Sequence, residues 1–151
     1  MRREPLTSEH GLARNRKVDQ MNKQRFLPII YIALTWNLIL TAGAAFNVSS
    51  LLHNVAGGQY TSLPTFLRFA YAIQTILVIY QLYFITELYR RNGAWSRTSY
   101  LLAEVFLVLS ALSTVVNSIS KSPGERWNAI AAAIIAYGFY VLGDIKFRPT
   151  H

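Results

Sequence analysis

Phe26–Phe46 reads FLPIIYIALTWNLILTAGAAF, 21 consecutive residues without a charge. Wound as an α-helix at 1.5 Å per residue, this stretch is about 31 Å long, the thickness of a bilayer's hydrocarbon core. Pro28 falls in its first turn, where a missing N–H has no partner to lose. A membrane-spanning helix is therefore expected. A cleaved secretory signal is the competing reading, because a basic leader precedes the run and Ala42-Gly43-Ala44 has the small-x-small form of a cleavage site. The apolar run outlasts the roughly 7–15 residues of a signal core, and three more apolar segments follow, so the helix is expected to be retained.

Outward from this stretch, charge and apolar sequence are segregated along the chain. Hydrophobic residues make up 52% of the 151, little more than the roughly 45–50% of soluble domains, so distribution decides the class rather than amount. Nearly all the charge lies in residues 1–25, 87–97, 121–126 and 144–151. Keeping charge out of the intervening runs is what hydrocarbon demands, since an ionised side chain at its centre costs several kcal/mol. The pattern predicts an all-α, integral membrane four-helix transmembrane bundle over residues 26–147, with spans at about 26–46, 66–88, 100–119 and 124–145. Residues 1–25 form a basic cytoplasmic tail, expected to be disordered or loosely membrane-associated for want of a face to bury.

The connections have their own signals. Residues 47–63 hold no Lys or Arg and include Gly57-Gly58, which predicts a loop with a short interfacial helix around Leu51–Val55. Pro64 opens the second span, and Asn92-Gly93 breaks the chain before the third. Ser122-Pro123-Gly124-Glu125 places Ser at an N-cap, Pro at the first helical position and Glu two residues later, which predicts a capping box. That start, with continuation to Ile145, gives the fourth helix a spanning length before Gly143 and Pro149 close it.

Orientation follows from the basic residues. With the N-terminus inside, Arg2, Arg3, Arg14, Arg16, Lys17, Lys23, Arg25, Arg90, Arg91, Arg97, Lys146 and Arg148 are cytoplasmic, twelve of the fifteen Lys and Arg. Only Arg68, Lys121 and Arg126 lie outside. The positive-inside rule thus predicts a multi-pass membrane protein with both termini cytoplasmic. Tyr83, Tyr89, Trp95, Tyr100, Tyr140 and Phe147 form an inner aromatic belt, and Phe46, Tyr60, Phe66 and Trp127 an outer one.

Polar and ionisable groups inside the spans are the candidate functional residues, because burying them is costly. Arg68 falls about one turn into the second span from outside and Glu104 about one turn into the third from inside, so they stand near opposite surfaces and do not pair. Snorkelling to headgroups accounts for Arg68. Glu104 is read as a partner of Arg90, Arg91 or Arg97, or as a proton or cation site. Gln74 and Gln81, seven residues apart, share a helix face, as do Phe106, Ser110, Ser113 and Asn117. Such stripes hold helices together by hydrogen bonds, or line a pathway. In the fourth helix Ala129-x-x-x-Ala133 and Ala132-x-x-x-Ala136 supply small residues for close packing.

Several activities are excluded or left without support. The chain has no cysteine, which rules out disulfides, thiolate metal sites and thiol catalysis. Phosphate-loop, dinucleotide-fold, zinc-protease and serine-hydrolase signatures do not occur. His10, His53 and His151 all fall outside the spans, so neither metal nor cofactor is expected. A net charge of +8 invites a nucleic-acid reading, but the basic residues flank apolar segments and act as topology signals, so no nucleic-acid partner is expected.

The stretch Asn117-Ser118-Ile119-Ser120-Lys121-Ser122-Pro123-Gly124-Glu125-Arg126-Trp127-Asn128, leading into an alanine-rich last helix, resembles that of uncharacterised small four-span membrane proteins of actinobacteria. The resemblance implies a bacterial inner membrane and brings no activity or site residues with it. The expected function is non-enzymatic: an accessory or scaffolding subunit of a larger membrane complex, or a small stand-alone bundle. The alternative is a homo-oligomeric transporter or channel using Glu104 and the faces of Gln74, Gln81, Ser113 and Asn117.

Overall fold

In the computed structural model, residues 7–91 and 96–142 are described, with side chains from Phe26 onward except that of Arg91. Four long helices account for most of them: α1 (Thr7–Ala45), α2 (Thr65–Arg91), α3 (Arg97–Ser118) and α4 (Pro123–Leu142). Two short 3-10 segments, Ser49–Asn54 and Ala56–Gly58, lie between α1 and α2. Three of the helices are long and apolar enough to cross a membrane, over Phe26–Ala45, Thr65–Arg90 and Arg97–Ser118. Only 22% of the α2 window and 17% of the α3 window are buried within the protein. Their exposed faces are rows of Phe, Ile, Leu and Val, among them Phe69, Ile76, Val108 and Val115, a surface suited to lipid and not to water.

The expected tail contains helix. α1 begins at Thr7 and runs unbroken into the first span. Residues 7–25 are rich in Ala, Arg, Lys, Gln and Met, which lose little side-chain freedom in a helix. Propagation from a helix already nucleated costs far less than starting one. Absence of an apolar face argues against burial and leaves helicity open.

α1 lies at the centre of one side, packed against α2 and α4, and α4 packs most extensively against α3. The helices are thus arranged α2, α1, α4, α3, and α2 and α3, consecutive in the chain, make no extended backbone contact. α4 turns Ala129, Ala132, Ile135, Ala136, Gly138, Phe139 and Leu142 inward. Ala133 is exposed, so only the Ala132/Ala136 pair faces inward at both positions. Gly138 permits the close approach of α1: a Cβ there would stand 2.7 Å from Ile30 Cδ1. α4 is not among the three helices meeting the spanning measure, since its first two turns hold Glu125, Arg126 and Asn128. The continuation to Ile145, Gly143 and Pro149, and the Asn92-Gly93 break, lie outside the described residues.

Two apolar cores result. The larger, at the end bearing Phe26, Leu88 and Leu142 and here termed the tail end, gathers Ile30, Leu34, Val78, Phe84, Ile85, Ala103, Phe106, Ile135 and Phe139. The smaller, at the loop end, joins Leu40 and Ala44 of α1 to Leu52, Val55 and Leu63. The segment expected as a loop is therefore anchored to the bundle by Leu52, Val55 and Leu63, while most of its other residues stay exposed. Asn47, in a left-handed conformation that Asn tolerates, staples it: its side chain accepts from Leu63 N at 2.7 Å and donates to Ser62 Oγ at 3.0 Å.

Candidate functional site

Between the two cores α2 and α3 diverge, and the gap is lined by their polar stripes. A deep crevice of about 250 Å³ is bounded by Asn37 of α1, Gln74, Leu77, Val78 and Gln81 of α2, Phe106, Leu109, Ser110 and Ser113 of α3, and Ala132 and Ile135 of α4. A larger one of about 380 Å³ shares Asn37, Gln74, Ser113 and Ala132 and continues toward the loop end along Trp36, Thr41, Tyr71, Asn117, Glu125 and Asn128. Ser110 and Ala132 fall near the middle of α3 and α4, Gln74 about a third of the way along α2, and Asn37 about two turns before the end of α1.

At the bottom, aromatic rings close the gap. Phe106 of α3 stands 5.8 Å from Phe84 of α2 and 5.2 Å from Phe139 of α4 between centroids, and Tyr80 adds a fourth ring 5.9 Å from Phe106. Aromatic pairs at these separations contribute attraction beyond their burial. The crevice is thus blind toward the tail end.

The deep part contains amides without protein partners. Gln81 is 7% exposed, yet among the described residues its carboxamide makes no hydrogen bond. The carboxamides of Asn37, half-buried, and Gln74, exposed within the protein, are likewise without a partner among the described residues, so Gln81 is the one buried amide of the three. Ser110, also 7% exposed, lies across the gap. Nearer the loop end, Asn117 Nδ2 donates to Ser113 Oγ at 3.2 Å. Thr41, by contrast, is satisfied within its own helix, donating to Asn37 O at 3.0 Å. A buried polar group left unmatched costs about 1–3 kcal/mol, so Gln81 is not accounted for by packing.

The loop-end mouth is covered by the Ala56–Gly58 turn. Ala56, Gly57 and Gly58 all have positive φ, of 50°, 75° and 66°, a conformation natural to the two glycines and strained at the alanine. Long-range hydrogen bonds hold it. Gly57 N donates to Glu125 Oε1 at 2.6 Å, Ala56 N donates to the Tyr71 hydroxyl oxygen at 3.1 Å, and Asn128 Nδ2 donates to Asn54 O at 2.8 Å. The other Glu125 oxygen accepts from the Ser120 hydroxyl. Trp36 Nε1 donates to Asn128 Oδ1 at 3.1 Å, tying α1 to the same cluster.

These contacts replace the capping box. α4 does begin at Pro123, but the Ser122 hydroxyl donates to His53 O at 2.8 Å, and Ser122 N donates to Ser120 Oγ, not to Glu125. A neighbouring backbone carbonyl and N–H, delivered by the anchored 3-10 segments, outcompete the local cap.

Of the residues singled out from sequence, Gln74, Gln81 and Ser113 converge in the deep crevice, and Asn117 lines its outer part. Arg68 does not join them. It is exposed, donates through Nε to Ala45 O at 3.1 Å and borders a separate shallow groove with Thr65, Phe69 and Ala72. Glu104 is half-buried on α3, nearly two turns toward the tail end from Ser110, and is not part of the lining. Sequence reasoning assigned no site role to Tyr71 and took Glu125 for a local cap, because both act on a turn far away in the chain. Among the described residues no group of three or more His, Asp or Glu side chains is placed to hold a metal ion. No known protein family, curated protein or solved structure matches the chain.

Proposed function

We propose that this chain is a four-span protein of a bacterial plasma membrane, with α4 as the fourth span and both termini cytoplasmic, and that it binds a guest within the membrane without covalent chemistry. The buried, unpartnered Gln81 carboxamide carries this reading. A bundle selected for stability alone would hold Leu there, because apolar replacement of an unsatisfied group is neutral or favourable. A crevice closed by Phe84, Phe106 and Phe139 supports binding over conduction through an open pore. It also turns the transporter reading away from Glu104 toward the amides.

Gln81→Leu is the test. Thermal unfolding of the variant in detergent should match or exceed the parent's; a fall of several degrees would make Gln81 a structural contact and end the proposal. Orientation is tested separately in the cysteine-free chain. An impermeant thiol reagent applied to intact cells should label cysteine at Gly58 or Lys121 and spare one at Gly93, and the opposite pattern would invert the topology.

A second reading, an accessory or scaffolding subunit of a larger complex or homo-oligomer, is favoured by one observation. The Thr7–Arg25 part of α1 prolongs the helix by about 28 Å beyond the span, a rigid arm available to a partner. Copurification of a stoichiometric membrane partner after mild extraction, lost on deleting residues 7–22, would support it.

A further inference from the structure

Resting on the binding reading above, the geometry points to an uncharged, hydroxyl-rich guest, a polyol either free or carried as the head of a neutral lipid. Among the described residues, the lining of the deep crevice has no ionisable side chain. An ion there would exchange its hydration for neutral amide and hydroxyl groups alone, with no opposite charge in the lining to offset the loss. Farther out, Tyr71 and Glu125 are the ionisable groups of the lining, and both Glu125 oxygens are already occupied by Gly57 N and the Ser120 hydroxyl. The lining therefore favours a neutral guest.

The kind of neutral group follows from the donors and acceptors. Each of Asn37, Gln74 and Gln81 presents two N–H donors and one carbonyl acceptor. A carboxylate only accepts and an ammonium only donates, so each would leave half of this array unmatched. Hydroxyls do both, and several adjacent hydroxyls satisfy several amides together. Water alone would meet the same demand only as an ordered cluster, each molecule needing two to four polar partners.

The sides of the gap add a second constraint. Leu77 and Leu109 border the opening between α2 and α3 and are themselves 43% and 47% exposed, so the polar floor opens sideways between apolar lips. An acyl chain leaves by that route. A transmembrane helix does not fit. The opening runs from the Phe106 ring contacts to Asn117, about 16 Å along α3, about half of what a crossing helix occupies.

The experiment uses the full chain with Trp95→Phe and Trp127→Phe, leaving Trp36, which lines the crevice, as the only fluorophore of its kind. In phosphatidylcholine nanodiscs it is titrated with glycerol, with monooleoylglycerol and with oleate. A saturable Trp36 response to monooleoylglycerol assigns a lipid-borne polyol, and one to glycerol a free polyol. Either should weaken about tenfold in Gln81→Leu, the loss of one hydrogen bond to a buried group, weaken less in Gln74→Leu, whose side chain is exposed, and persist in Glu104→Gln. Silence toward both polyols, an equal response to oleate, or indifference to both glutamine substitutions overturns the assignment. Spin labels on Leu77→Cys/Leu109→Cys separate the two claims. Labels held apart with no polyol response refute the guest alone; labels in contact show a closed gap and refute the binding reading itself.

Discussion

Toward the tail end, Phe84, Phe106 and Phe139 bring rings from three helices within 5.2–6.3 Å of one another, whereas toward the loop end α2 and α3 stand apart around Gln74, Gln81, Ser110 and Ser113. The same pair of helices supplies both regions. Large apolar side chains at the tail end fill the space between them, with Phe84, Phe106 and Phe139 part of the larger core. A few residues farther along, short or amide side chains leave the space unfilled and the amides unmatched. The tail end is built for stability, and the crevice tolerates a local cost that a guest would remove.

Substitutions can break that comparison. The largest effect is expected from Phe139→Ala: the ring is fully buried in the tail-end core, and its loss should destabilise by about 3–5 kcal/mol, measured as reversible unfolding in mixed micelles. Gly138→Ala comes next. The new methyl would meet Ile30 Cδ1 at 2.7 Å, and separating α1 from α4 should cost about 1–3 kcal/mol on the same scale.

Smaller still is Glu125→Ala. It removes the acceptor of Gly57 N–H and should release the cover while sparing the tail-end core. Hydrogen exchange at the Gly57 amide should accelerate about tenfold or more, with exchange in α2 near Ile85 unchanged. Acceleration at Ile85 as well would mean that the two regions unfold as one unit. Gln81→Leu should change stability least, within about 0.5 kcal/mol or upward. A loss comparable to that of Phe139→Ala would erase the distinction between the regions.

The spanning helices were legible because the bilayer imposes a rule on composition that needs no partner: a run such as Phe26–Phe46 excludes charge wherever it sits. The stripes of Gln74 and Gln81 and of Ser110, Ser113 and Asn117 were legible for a similar reason, helical periodicity alone placing each set on one face. The helix in the tail was not legible because lack of an amphipathic face says little about whether a helix, once started, continues. Glu125 was misread because a capping motif is local. The actual partners of Ser122 and Glu125, His53 O and Gly57 N, lie some seventy residues back in the chain.

By itself, then, the sequence determined the class of protein, the limits of its apolar helices and the polar faces they bear, all consequences of hydrophobicity and the 3.6-residue turn. Only the tertiary structure decided that the faces of α2 and α3 look into a gap instead of meeting each other. That outcome depends on α4 lying against α1 at Gly138, on the phenylalanines propping the tail end, and on the Ala56–Gly58 turn reaching Glu125. Each is a contact between segments distant in sequence, governed by shape and packing, which residue pattern does not encode.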